Sequence, residues 1–186
     1  MVPRLWGGEW AVLLDAIPVK LFVWTVLPAL VLWRGREDFR VLFRAHFPWL
    51  PCLVGLCVTA AFLWTLRLLN GLGGTHVVFD PMILAFSLSA GVAEELGFRG
   101  CFFSRQEESL GLWPAALLNG LFFTLYHYPG LLFGESWGVL LSLRALLLFV
   151  MGVVFCWMFW RWRNLALNMT IHTVWDLLSY LFCLAG

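Results

Sequence analysis

Six stretches of this chain, at approximately residues 10–33, 48–70, 80–104, 112–128, 137–160 and 164–185, are mainly apolar. Each approaches or exceeds the roughly 20 residues that a helix needs to cross a bilayer. In hydrocarbon every backbone N–H and C=O must be paired within the protein, so such stretches become helices. Only 12% of the 186 residues are charged and 62% are hydrophobic, against about 25% charged in soluble domains. The expected fold class is therefore all-α: a polytopic transmembrane helical bundle of about six spans. It forms one domain over residues 1–186, with any active site inside the bundle.

The net charge of +1 argues against a nucleic-acid partner, which favours a clustered basic surface. Cys52, Cys57, Cys101, Cys156 and Cys183 lie in apolar stretches without a Cys-x-x-Cys pair and read as small hydrophobes. Residues Met1 to Trp10 lack the basic start and small-residue cleavage site of a signal peptide. The first apolar segment is accordingly expected to remain as a span.

Basic residues set the orientation. Arg34, Arg36, Arg40 and Arg44 follow the first span, Arg105 follows the third, and Arg161 and Arg163 follow the fifth. The second and fourth connections carry none, apart from Arg67 at the edge of the second. This alternation predicts an even number of spans with both termini outside. Trp10, Trp33, Trp49, Trp113, Trp137 and Trp160 near segment ends fit an interfacial belt. Asp15 and Lys20 read as a pair or as snorkelling side chains in the first span. Arg144 pairs with an inward acid or marks a later start of the fifth span. His46 and His76 fall near interfaces.

Three polar constellations interrupt the apolar stretches: Glu94-Glu95-x-x-x-Arg99, Phe123-x-x-x-His127 and His172-x-x-x-Asp176. An ionisable residue in a span costs several kcal/mol, about 2.5 or more at the centre, unless it is paired or lines a wet cavity. Adjacent residues on a helix point about 100° apart, so Glu94 and Glu95 face different surroundings. Arg99, four residues after Glu95, shares its face and can pair with it. Glu95 and Arg99 then read as scaffold and Glu94 as the chemical group. Asn168, His172 and Asp176 recur every four residues, with Ser179 near the same face. Such a stripe faces protein or water, as a site or as interhelical hydrogen-bonding glue.

Glu94 precedes Glu108 by 14 residues and His127 follows Leu112 by 15. At about 1.5 Å per residue, both sit roughly 21–23 Å from a turn near 109–111. His172 and Asp176 lie about 12 and 18 Å along the last span from Asn164. All four can converge on one cavity, where a carboxylate and a histidine can deprotonate water. A second histidine can stabilise an oxyanion. The same donors suit zinc. No His-Glu-x-x-His is present.

The ordered trio Glu94-Glu95-Leu96-Gly97-Phe98-Arg99, Phe123-Thr124-Leu125-Tyr126-His127 and His172-Thr173-Val174-Trp175-Asp176 resembles the CPBP family, also called the CAAX-protease and bacteriocin-processing or Abi family. The resemblance covers roughly residues 80–180. It implies an intramembrane endopeptidase in a bilayer, expected in a bacterial cell membrane, acting on a peptide or membrane-protein substrate. By that resemblance Glu94 is the general base, His127 its partner in orienting water, and His172 with Asp176 the stabilisers. Glu95, Arg99, Phe123 and Asn168 support them. Members are described both as metalloproteases and as metal-independent glutamic proteases. No cofactor is expected here; in a zinc form Glu94, His127 and His172 are the ligands. Two departures stand out: six spans rather than about eight, and Asp176 where some members carry Asn. The latter puts a negative charge beside an oxyanion unless Asp176 is protonated or orients His172. The alternatives are a catalytically silent immunity or scaffold protein of the same fold, and a small transporter using the polar residues as a path. The residues specify no oligomeric state.

Overall fold

The computed structural model describes residues 46–69, 71, 81–134 and 143–182, together with 22, 26, 28, 30, 42 and 43. All but four residues of the first predicted span, the connection 34–41, and the expectations on Asp15, Lys20, His76, Cys183 and the Arg144 side chain fall outside the described residues. Five helices are described: α1 (Trp49–Leu69), α2 (Pro81–Leu110), α3 (Leu112–Gly134), α4 (Leu143–Trp162) and α5 (Leu165–Leu181). Among the described residues there is no β-strand, only an isolated bridge between Phe43 and Asn164. The all-helical bundle is as the apolar segments predict.

Trp49–Leu69, Pro81–Leu110 and Ala145–Trp162 are long and apolar enough to cross a membrane. The described residues bear on the five later predicted spans. Helix α1 shows why this chain belongs in lipid. Its buried residues Cys52, Thr59, Leu63 and Arg67 form one stripe. Leu50, Leu53, Val54 and Val58 on the remaining surface are exposed. An apolar face this large needs a non-aqueous partner. Trp49, Trp113 and Trp160 are exposed near the ends of α1, α3 and α4, where an interfacial belt places them.

Local chemistry fixes the helix ends. Pro81 opens α2, where its missing N–H is no loss. Gly111, with φ of 76°, ends it, and its N–H bonds Glu107 O at 2.9 Å. That turn is the hairpin expected near 109–111. Asn164 caps α5, its Oδ1 accepting from Ala166 N at 3.1 Å. The α4–α5 turn is tight enough to hold Arg163 at φ 46°, a strained conformation for a side chain with a Cβ. Arg163 Nη2 donates to Glu107 Oε2 at 2.7 Å. This bond ties the α4–α5 turn to the α2–α3 hairpin at one end of the bundle.

Helix α2 is not uniform. Pro81–Glu95 and Ser104–Leu110 are α-helical, but Leu96–Phe103 winds as a π-helix. Such wide turns are rare and concentrate at functional sites. This one begins directly after Glu95. Ser104 Oγ bonds Arg99 O at 3.1 Å, and Asn119 Nδ2 on α3 bonds Phe98 O at 2.9 Å. Both bonds supply side-chain donors to carbonyls of the wide segment.

Helix α2 packs along α5, α3 along α4, and α1 against α5. The closest approaches use glycine. A Cβ at Gly152 on α4 meets Gly120 Cα at 2.7 Å, and one at Gly91 on α2 meets Thr173 and the Met169 carbonyl of α5. Small residues let membrane helices approach until backbones touch. Gly152→Val is expected to lower stability by about 1–3 kcal/mol or more through overpacking. Thermal unfolding in detergent micelles checks this, with lipid-facing Val150→Leu expected to match the unmodified protein.

Candidate active site

Three helices bring the three constellations together. Helix α2 contributes Glu94, Glu95 and Arg99, α3 contributes Phe123 and His127, and α5 contributes Asn168, His172 and Asp176. Glu94, Glu95, Arg99, Phe123, Asn168 and His172 are all buried. Only His127 and Asp176 keep about a quarter of their side-chain surface open, at 28% and 24%. The exposed edge of the cluster is therefore carried by His127 on α3 and Asp176 on α5.

Glu94 Oε2 sits 3.7 Å from His127 Nε2 and 3.8 Å from His172 Nε2. These separations exceed a direct hydrogen bond and suit a single molecule of water or a reacting group between the partners. His127 Nδ1 lies 2.8 Å from Phe123 O. A carbonyl only accepts, so Nδ1 carries a proton and Nε2 is the ring nitrogen that faces Glu94. The i,i+4 spacing of Phe123 and His127 creates this bond. It also sets the Phe123 ring 4.6 Å from the imidazole, with Tyr126 at 5.0 Å on another side.

Glu95 is the hub of the second half. Its Oε1 accepts from Arg99 Nη1 and from His172 Nδ1, each at 2.8 Å, and its Oε2 accepts from Asn168 Nδ2 at 3.3 Å. Arg99 also reaches Gly152 O at 3.3 Å and lies over the Phe123 and Phe155 rings at 4.5 and 5.3 Å. Asn168 Nδ2 bonds Phe155 O at 2.7 Å. A fully buried charge pair is tolerated when hydrogen bonds occupy its remaining groups, and Glu95 meets that condition with three donors.

The two glutamates face different surroundings. Glu94 faces both imidazole Nε2 atoms, and Glu95 pairs with Arg99. Sequence spacing did not show that Glu95 also grips His172, 77 residues away. It is Glu95 that makes the short bond to that ring. Asp176 Oδ2 lies 3.8 Å from His172 Nε2, on the side that also faces Glu94. Asn119 was missed. It is fully buried on α3 and bonds Phe98 O on α2, while Cys156 Sγ on α4 donates to its Oδ1 at 3.3 Å. Its spacing of four from Phe123 and eight from His127 was the available signal.

Glu94, His127 and His172 have the donor chemistry of a catalytic zinc site. Bonds of about 2.0–2.1 Å to a tetrahedral ion put ligand atoms about 3.4 Å apart. The 3.7 and 3.8 Å separations are wider. Among the described residues no group of three His, Cys, Asp or Glu is spaced to hold a metal ion.

Fold and site together define a polytopic helical membrane protein with a buried carboxylate–histidine centre. The sequence pattern of the family described as Type II CAAX prenyl endopeptidase Rce1-like matches residues 77–178, more than half of the chain. The protein belongs to that family, a branch of the CPBP intramembrane proteases. No curated protein and no solved structure matches the chain.

Proposed function

We propose that this protein is an intramembrane endopeptidase that hydrolyses a peptide bond of a membrane-associated or lipidated substrate with water activated by Glu94 and His127. The observation that carries the reading is the position of Glu94 Oε2, buried and 3.7 and 3.8 Å from the Nε2 atoms of His127 and His172. A water between Glu94 and His127 gives one proton to the carboxylate and is oriented by the imidazole lone pair. Its oxygen attacks the carbonyl carbon of the scissile bond. As the tetrahedral intermediate collapses, the C–N bond breaks and the proton held by Glu94 passes to the departing amine. The products are a free carboxylate and a free amine.

His172, with its Nδ1–H on Glu95, turns Nε2 toward the reacting groups. It donates to the oxyanion when both ring nitrogens carry protons. Glu94 holds the water proton at that stage, so the Asp176 carboxylate and Glu95 at Nδ1 balance the imidazolium, which gives Asp176 a role that a neutral amide would not fill. No metal is required by this sequence of steps.

The family description points to a prenylated CAAX peptide as the first substrate to try. The basic connections favour a cytoplasmic α2–α3 hairpin and α4–α5 turn, with both termini outside. The Glu107–Arg163 bond joining those turns is consistent with their sharing one side.

The test is cleavage of a fluorogenic farnesylated CAAX peptide by the purified protein. His127→Ala is expected to lower kcat by about 10²–10⁴-fold, and a zinc chelator is expected to leave the rate unchanged. Full turnover in His127→Ala, or loss on chelation, overturns the corresponding part of the proposal.

A further inference from the structure

We infer that Asn119 is a positioning residue, which sets the π-helical segment so that the two histidines keep their relation to Glu94 and Glu95. The kinetic part of its test rests on the endopeptidase reading above; the structural part does not. Asn119, Phe123 and His127 lie four residues apart along one face of α3, so the face that carries His127 continues to Asn119. The Asn119 amide is fully buried and satisfied at both ends. Nδ2 lies 2.9 Å from Phe98 O and 3.5 Å from Gln106 Oε1, and Oδ1 accepts from Cys156 Sγ at 3.3 Å. With acceptors at the nitrogen and a thiol donor at the oxygen, the orientation of the amide is determined.

The bond to Phe98 O grips α2 inside its wide turns, one residue from Arg99. Two branches leave that point. The Phe98 ring packs on Phe123 at 5.2 Å and on Tyr126 at 5.6 Å, and these two rings flank His127. Arg99 holds Glu95, which holds His172. One amide bond therefore restrains the surroundings of both imidazoles. Leucine has a similar size but no donor, so Asn119→Leu leaves only packing to oppose rewinding of residues 96–103 toward the regular α pattern. Such rewinding rotates Phe98 and Arg99 about the helix axis.

The experiment uses the purified full chain in micelles with the farnesylated CAAX peptide, and also records histidine ring NMR signals without substrate. Asn119→Leu is expected to lower kcat by about 10- to 100-fold, the loss that a misplacement of about 1 Å produces. Its KM is expected to stay within about twofold, and the His127 and His172 signals are expected to shift. Cys156→Ala, which removes the donor to Oδ1, is expected to change both readouts in the same direction by less. Cys156→Ser, which keeps a donor, is expected to match the unmodified protein. Unchanged kcat and unchanged histidine signals in a folded Asn119→Leu overturn the inference, as does a change confined to melting temperature. If Asn119→Leu does not fold, the cysteine pair decides: Cys156→Ala indistinguishable from Cys156→Ser in both readouts overturns it. If the unmodified protein cleaves nothing, the endopeptidase reading fails, and the histidine signals still decide the positioning role.

Discussion

Glu94→Gln is expected to lower kcat for peptide cleavage by about 10²–10⁴-fold, the contribution of a positioned general base, with the fold intact. Glutamine keeps the shape of the side chain and its oxygen, and loses the ability to accept and return the water proton. Glu94 is buried, and its Oε2 faces two imidazole nitrogens at 3.7 and 3.8 Å. The hydrogen bonds that Glu95 accepts from Arg99, Asn168 and His172 use no atom of Glu94, so this substitution leaves them in place. KM is expected to change little, because the lost interaction belongs to the transition state. Equal kcat in the glutamine variant removes Glu94 from the mechanism. A variant that retains the cellular function without cleavage favours the silent scaffold instead.

Arg99→Met carries the largest expected cost in stability, about 3–5 kcal/mol, as for any buried pair that loses one member. Arg99 and Glu95 are both fully buried, joined at 2.8 Å. The guanidinium further bonds Gly152 O on α4 and lies over Phe123 and Phe155. Removing it leaves the Glu95 carboxylate with His172 and Asn168 as its remaining polar partners among the described residues. The double variant Glu95→Gln/Arg99→Met is expected to recover much of the stability, because the stranded charge is gone and a glutamine oxygen still accepts from His172. Thermal unfolding of the single and double variants in micelles is the measurement. A single variant within about 0.5 kcal/mol of the unmodified protein, as for an ordinary surface change, contradicts the hub assigned to Glu95.

Much of this was legible in the sequence because membrane helices leave few choices. Apolar length fixed the element type. Gly111 marked the hairpin between α2 and α3 through the conformation that glycine permits. Glu95 and Arg99, four apart, had to share a face, as did Asn168, His172 and Asp176. What escaped depended on the register between helices. Nothing local to Glu95 says that His172 will lie 2.8 Å from it, because that bond is set by how α2 and α5 touch at Gly91. The π segment escaped as well. A regular rise overstates depth along α2, because residues 96–103 wind more widely and advance less per residue. Glu94 and His127 meet nonetheless, since both helices leave the same turn. Asn119 stands alone in an apolar run with no local signal of its partner, the Phe98 carbonyl of the wide segment.

Comparison of membrane-derived peptides from cells carrying the unmodified protein or Glu94→Gln shows whether the chain cuts peptide bonds at Glu94. The expected result is a small set of new C-termini and matching N-termini that appear only with the unmodified protein and return when the substitution is reverted to glutamate. Indistinguishable peptide sets from the two strains, with both proteins present at equal level in the membrane, would contradict it.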